Sequence, residues 1–416
     1  MKERKLIPLR GVKPAVSLLR KSRALFSILL TYTVLFLSAC TKPSSDVPKT
    51  SYQQNLDLSR SEGSAIQIRH AKGFQIDYED GLTLLKIYNG IQDRADTLKY
   101  VIVKKGQAIP PKYHDYYVVH TPIRRVTVFS TTNIGMLSLA ESEDAIVGVS
   151  NPKVVNTPSV VERIKNGEIA DVGHAYSPNV EILLEKSPDL VILTALPAAK
   201  FAQYQTLIDA GVPVVVCAAW LENSPLGRAE WVKLLAVLLG KETLVNEKFA
   251  RIEMQYQRLA SLADSVQARP TVLPGLAYKD SWSIPGGDSY VAQFLKDAGA
   301  DYYWKNKKVT GSLKLDFEAV YPVALTADFW INPGTAKSIE ELLAKDTRFR
   351  EFAPVQKERV FNNNKQLNPF GGNAYWEFGV VQPQLILADL IQIFHPELIS
   401  ELPEAFREST FYQQIK

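Results

Sequence analysis

The sequence predicts an α/β fold: two αβ lobes with mainly parallel sheets, joined by a long backbone helix, plus a small N-terminal β extension. Three observations predict it. Apolar strand-like runs alternate with helix-like runs from Arg124 to Cys217, the pattern of a parallel sheet covered on both faces. A helical stretch with no strand, residues 224–266, then interrupts the alternation. After it the alternation resumes, so one long bridge separates two similar halves. A chain of 416 residues has enough surface to bury a core in each half.

Residues 1–39 read as an export signal. "MKERKLIPLRGVKPAVSLLRKSR" is basic and "ALFSILLTYTVLFLSA" is apolar, the order of an n-region and an h-region. A transmembrane anchor is the competing reading. The apolar run is short for one and stops at the polar "TKPSSDVPKT". "LSAC", ending at Cys40, resembles a bacterial lipobox. The resemblance implies cleavage before Cys40, lipidation of its thiol, and stable attachment to a membrane facing the periplasm or cell exterior. Without residues 1–39 the chain has 40 basic and 43 acidic residues, which removes any basic excess for nucleic acid. The second cysteine, Cys217, lies in "VPVVVCAAW" and reads as a buried apolar residue.

Residues 40–64 are polar and form a tether. Residues 65–121 alternate apolar and polar, as in "FQIDY" and "TLLKIYNG", and predict short antiparallel strands. The N-terminal lobe spans 122–223. Its strands are expected at "RRVTVF", "AIVGVS", "DLVIL" and "VPVVVCA", with helices at "NIGMLSLA", "VEILLEKS" and "FAQYQTLIDAG". The bridge, 224–266, starts with Ser224 as a cap and Pro225 in the first turn, and Gly240 marks a break. Arg228 with Glu230 is expected to pin its first turn. The C-terminal lobe, 267–416, carries "TVLPGLAY", "YVAQFLKDAG", "FEAVYPVAL", "DFWINPG", "RVFNNN" and a closing helix.

Ligands of such sheets bind beyond the carboxyl ends of the strands. That rule selects Thr131, Thr132, Asn133, His174, Tyr176, Trp220 and Glu222 in the first lobe. In the second it selects Lys279, Asp280, Trp282, Asp288, Asn373, Tyr375, Trp376 and Glu377. Aromatic and polar side chains together suit a large, flat or conjugated ligand. "PGGDS" lacks the Gly-Lys-Ser/Thr ending of a phosphate loop, so a tight turn and helix cap is expected there. Of five histidines, His174 alone falls in the expected cleft, which argues against a bare metal ion. No metal and no cofactor is expected.

Lipobox, αβ lobe, backbone helix and second lobe resemble the substrate-binding proteins of iron-siderophore and cobalamin ABC transporters. "SPNVEILLEKSPDLVIL", 177–193, and "SWSIPGGDSYVAQFLKDAGADYYW", 281–304, carry the resemblance. It implies capture of a metal chelate (ferric siderophore, cobalamin or haem) by a monomer, and delivery to a permease dimer and its ATPase. It also implies that Glu181 and Glu318, one exposed carboxylate per lobe, dock on the permease. The competing reading of each Glu is a helix N-terminal charge. A surface sensor or adhesion lipoprotein is the alternative function. No HExxH, GxSxG, CxxC or phosphate loop points to an enzyme.

Overall fold

Alternating apolar residues build the first sheet. The computed structural model describes residues 65–88, 90–91 and 96–416. The export signal, Cys40 and the tether lie outside the described residues. Strands β1 (Phe74–Glu79), β2 (Leu82–Tyr88) and β3 (Thr97–Lys104) pair antiparallel, and β4 (Tyr117–Thr121) joins β3 in parallel. The parallel pair departs from the antiparallel expectation. Its cause is the connection 105–116, which crosses over the sheet rather than turning back tightly. Tyr113 of that connection covers Leu82, Leu84, Val101 and Val103 on one face. The other face, with Phe74, Leu85, Ile87 and Tyr100, belongs to the core of the first lobe. The Tyr100 hydroxyl donates to the Val214 carbonyl at 3.0 Å.

The first lobe follows in chain order as β5 (Val126–Val128), α1 (Thr131–Leu139), β6 (Ile146–Val149), α2 (Pro158–Lys165) and β7 (Ala170–Asp171). A two-stranded hairpin, β8 (Gly173–His174) and β9 (Ser177–Pro178), precedes α3 (Val180–Lys186) and β10 (Leu190–Thr194). Helices α4 (Ala198–Phe201) and α5 (Gln205–Asp209) lead to β11 (Val214–Cys217). The sheet runs β11-β10-β5-β6-β7, all parallel. Every residue of β5, β6 and β11 is buried, as expected for strands covered on both faces. Cys217 is among them, and burial pushes its thiol up to about 11.

The bridge is three helices rather than one: α6 (Pro225–Glu230), α7 (Val232–Leu239) and α8 (Glu242–Asp264). The Ser224 hydroxyl caps α6 by accepting from Gly227 N–H. Gly240 ends α7 in the left-handed region, at φ 68°, where a side chain is disfavoured. The 23 residues of α8 extend about 35 Å at 1.5 Å per residue. Its Val245 and Phe249 enter the first-lobe core, and its Tyr256, Leu259 and Ala263 enter the second. One apolar stripe therefore ties both cores to a single rod.

The second lobe contains β12 (Val272–Pro274), β13 (Ala277–Tyr278), β14 (Ser281–Pro285), α9 (Tyr290–Asp297), β15 (Ser312–Asp316) and α10 (Phe317–Ala324). Then come β16 (Phe329–Ile331), α11 (Ile339–Lys345), α12 (Ala353–Gln356), β17 (Val360–Asn362), α13 (Pro383–Phe394) and β18 (Gln413–Gln414). The main sheet is β12-β16-β17-β18, parallel except for β18, and β13-β14-β15 form an antiparallel sheet beside it. Helix α13 packs along α8. No helix among the described residues is long and apolar enough to cross a membrane.

Candidate functional site

A groove of about 600 Å³ lies where carboxyl ends of strands from both lobes meet. The first lobe gives it Thr131, just after β5, and Val154, after β6. The second gives Asn332 and Lys337, after β16, and Asn363, Asn373 and Trp376, after β17. A larger cavity of about 960 Å³ opens instead near Arg269, Asp328 and Arg359, at the amino ends of the second-lobe strands. The strand-end rule favours the former.

The walls are fixed by hydrogen bonds between the lobes. The Asn368 amide donates to the carbonyls of Lys153 and Val155 at 2.9 and 3.1 Å. A Cβ on Gly372 would stand 2.3 Å from the Val154 carbonyl oxygen, so glycine is required for this approach. The Glu377 carboxylate is fully buried. It accepts from Asn156 N–H and Thr157 N–H, each at 2.8 Å, and from the Thr157 hydroxyl. Burial raises its pKa despite those donors. The Thr132 hydroxyl donates to the Trp376 carbonyl at 2.9 Å. Two loops of opposite lobes are thus clasped beside the groove.

The groove is mildly electropositive and rich in carboxamides. Lys337 is exposed and makes no ion pair among the described residues. Two bonds at the start of α11 fix its backbone: Lys337 N–H donates to Glu341 Oε2, and Glu341 N–H to the hydroxyl of the cap residue Ser338. Asn332 sits in the left-handed region at φ 53°, and its buried Oδ1 has no hydrogen-bond partner. At the groove Trp376 remains exposed, as does Phe370 on the loop between Pro369 and Gly371.

The residues selected from sequence separate into two groups. Thr132, Asn373 and Trp376 come together at the groove, and Tyr176 and Trp220 are exposed on strand-end loops. His174 is exposed in the β8–β9 hairpin. Others face inward. Trp282 has no exposed surface and packs against Trp330, Phe317, Phe349 and Phe352. Its indole N–H donates to the Pro274 carbonyl at 3.0 Å. Asn133 is buried in α1, its amide against Met136 Sδ at 3.9 Å. Tyr375 is buried against Phe411 and Tyr412. Asp288 pairs with Lys308 at 3.3 Å. In the same turn, a Cβ on Gly286 would stand 2.1 Å from the Val309 carbonyl oxygen, and Ser289 caps α9.

Glu222 is a structural anchor rather than a wall of the groove. Its carboxylate accepts from Lys72 N–H, Gly73 N–H and Trp231 Nε1–H at 2.8–3.0 Å. Glu230 accepts from Arg69, His70 and Ala71 N–H and from Lys233 Nζ. It therefore does not pin α6 together with Arg228, whose guanidinium stacks on Tyr290 at 4.0 Å. Sequence reading passed over Asn332, Lys337, Asn363 and Asn368. The signal was present in "INPG" and "FNNNKQLNPFGG", Asn- and Gly-rich segments directly after apolar strands. Among the described residues, no group of three or more His, Cys, Asp or Glu could hold a metal ion.

Glu181 and Glu318 are exposed in the first turns of α3 and α10, and neither makes an ion pair among the described residues. The cap of α3 is Asn179, which accepts from Ile182 N–H at 3.1 Å.

The model for the family described as Periplasmic binding protein matches residues 126–367, from β5 to the groove loop after β17. This chain belongs to the periplasmic binding protein family. The β extension lies outside the matched span. An uncharacterized lipoprotein of Methanocaldococcus jannaschii is 25% identical over 82% of this chain and 85% of its own length. Among solved structures, a possible iron-binding periplasmic solute-binding protein from Staphylococcus epidermidis aligns with TM-score 0.51 and 18% identity, over 66% of this chain and all of the other. A periplasmic heme-binding protein from Pseudomonas aeruginosa aligns with TM-score 0.51 and 19% identity, over 66% of this chain and 94% of the other. At these identities the two structures establish the fold.

Proposed function

We propose that this family member is a lipid-anchored solute-binding protein of an ABC importer. It captures a metal chelate between its lobes and delivers it to the permease. The observation that carries the reading is the groove between strand ends of opposite lobes, with Trp376 on its wall and Lys337 uncompensated. At about 600 Å³ it lies in the size range of small-molecule sites. An exposed indole stacks on a conjugated ligand, and a lysine without a partner attracts an anionic one. The iron- and heme-binding descriptions of the two aligned structures support the same ligand class. Thr132, Asn373, Trp376, Asn332 and Lys337 form the inner contacts in this reading, with Tyr176, His174 and Trp220 at the rim. Cys40 carries the lipid, the body is monomeric, and Glu181 and Glu318 dock on the two permease subunits.

The test is a titration of residues 41–416, with Cys40 omitted, against cyanocobalamin, ferric siderophores and haemin. Quenching of tryptophan fluorescence is read first and calorimetry confirms stoichiometry. One-to-one binding that Trp376→Ala weakens about tenfold, the loss of one stacking contact, is the expected result. Folded protein that binds nothing in the panel overturns the chelate reading and shifts weight to a sensor or adhesion lipoprotein.

A further inference from the structure

Three consecutive asparagines, Asn362 to Asn364, end β17 and lead onto the groove wall. Side chains alternate across an extended chain, and this run keeps the alternation. Asn362 Nδ2 donates to the carbonyls of Gly334 and Ala336 at 3.1 and 2.8 Å, and Asn364 Nδ2 donates to that of Ala336 at 3.0 Å. Asn364 Oδ1 accepts from Gln413 Nε2 at 2.9 Å. These two amides tie the strand end to its neighbours. The side chain between them, Asn363, leaves from the opposite side and lines the groove.

Asn363 is 8% exposed, and its carboxamide has no hydrogen-bond partner among the described residues. Its backbone is pinned on both sides. The N–H donates to Asn362 Oδ1 and the carbonyl accepts from Asn373 Nδ2, each at 3.0 Å. A carboxamide both donates and accepts, and buried polar groups are as a rule paired. The surface that Asn363 keeps opens on the groove. On the same walls the Thr131 and Thr335 hydroxyls likewise have no partner among the described residues. Charge is sparse. Lys337 is exposed, and Lys153 stands outside the lining with its ammonium over the Phe370 ring at 5.9 Å. The described lining residues include no Arg, Asp or Glu, and no His, Tyr, Cys or Met that could ligate an iron.

We propose that Asn363 is the innermost polar contact of the groove, and that it reads a neutral amide on the rim of the bound chelate. The inference rests on the chelate reading of the groove. An amide presents an N–H and a carbonyl together, the complement of a carboxamide, whereas a carboxylate presents acceptors alone. One exposed lysine on the wall does not offset a multiply charged chelate as it loses water, so low net charge goes with the amide rim. The walls supply no side chain of the usual iron-ligating types, so the metal enters with its coordination already filled by the chelator. The ligand class is a coordinatively saturated chelate of low net charge, fringed with amides: a peptide hydroxamate or a corrinoid. Asn363 is then a specificity-determining residue, and its neighbours Asn362 and Asn364 are the struts that aim it.

The experiment compares wild type, Asn363→Ala and the near-isosteric Asn363→Asp in the soluble body, residues 41–416 with Cys40 omitted. The probes are ferrichrome (a neutral peptide trihydroxamate), cyanocobalamin, a trianionic ferric tris-catecholate and haemin. Calorimetry reads affinity at low and moderate salt. Wild type is expected to bind ferrichrome or cyanocobalamin, and which of them it binds separates the two sources of an amide rim. Both variants are expected to weaken that chelate by about tenfold, the size of one hydrogen-bonding group left unpaired. The affinity changes little with salt, and the thermal midpoint of Asn363→Ala matches wild type, because the side chain holds nothing within the protein. Unchanged affinity in both variants overturns the proposal. So does a lowered midpoint of Asn363→Ala with equal losses for every probe, which signifies a structural role, and so does wild-type preference for the tris-catecholate or haemin. Wild type that binds none of the four overturns the chelate reading itself, and this inference with it.

Discussion

Trp282 and Trp376 were alike in sequence, each beside glycines and polar residues, and they have opposite fates. Trp282 is fully buried in an aromatic cluster and Trp376 is half-exposed on the groove. Trp282→Ala is expected to cost about 3–5 kcal/mol of folding stability, read by urea denaturation; a loss below about 1 kcal/mol contradicts its place in the core. Trp376→Ala should leave stability nearly unchanged. Asp389 is a second residue whose environment decides its chemistry. It is buried, it accepts from the N–H groups of Thr410, Phe411 and Tyr412, and burial pushes its carboxyl up to about 6 from 3.8. Between those values the folded state holds the proton more tightly than the unfolded chain, so this group's contribution to stability falls as pH rises from about 4 to 6. Asp389→Asn removes that term. The stability of the variant relative to wild type is expected to improve across this window, and a pH-independent difference refutes the assignment. Neither side chain's setting was legible locally, because the partners of each lie tens of residues away.

The strands and most helices were legible as elements, since their periodicity is a local property. "VPVVVCA" and "DLVIL" became β11 and β10 in adjacent places of one parallel sheet. The direction of β4 was not legible: whether a connection crosses a sheet or turns back depends on what it covers, here through Tyr113. The bridge read as mostly helical, with Gly240 as its break. The further division of α6 from α7 depends on Trp231, which is drawn inward to Phe74 and Glu222. The strap that residues 69–73 form over the bridge left no sequence signature, because Glu222 and Lys72 are 150 residues apart. Glu222→Ala strands three donors and is expected to cost about 3 kcal/mol, the scale of charge-assisted hydrogen bonds. Faster hydrogen exchange at the Lys72 and Gly73 amides localises the loss to the strap. Unchanged exchange there shows that the carboxylate does not hold it.

At the scale of the molecule, α8 enters both cores and the Glu377 clasp joins loops of opposite lobes. Both features resist wide separation of the lobes, which favours capture with small closure. Glu181 and Glu318 are far apart in sequence, and each lies in the first turn of a helix, one in each lobe. Reversing both, Glu181→Lys with Glu318→Lys, is expected to leave chelate affinity within about twofold while abolishing permease-dependent uptake, since paired charges fix orientation on a partner more than they hold a ligand. Uptake at the wild-type rate removes docking from these residues.

The sequence by itself determined the α/β class, the two lobes, the helical bridge between them and the family, because those rest on apolar periodicity and on segments read in one dimension. Tertiary structure decided which strand-end residues face the groove, which of the tryptophans is core, and what Glu222 and Glu377 hold. Those outcomes depend on contacts between segments 150 and 220 residues apart. A buried carboxylate takes its role from the donors that packing brings to it, and no spacing along the chain encodes them.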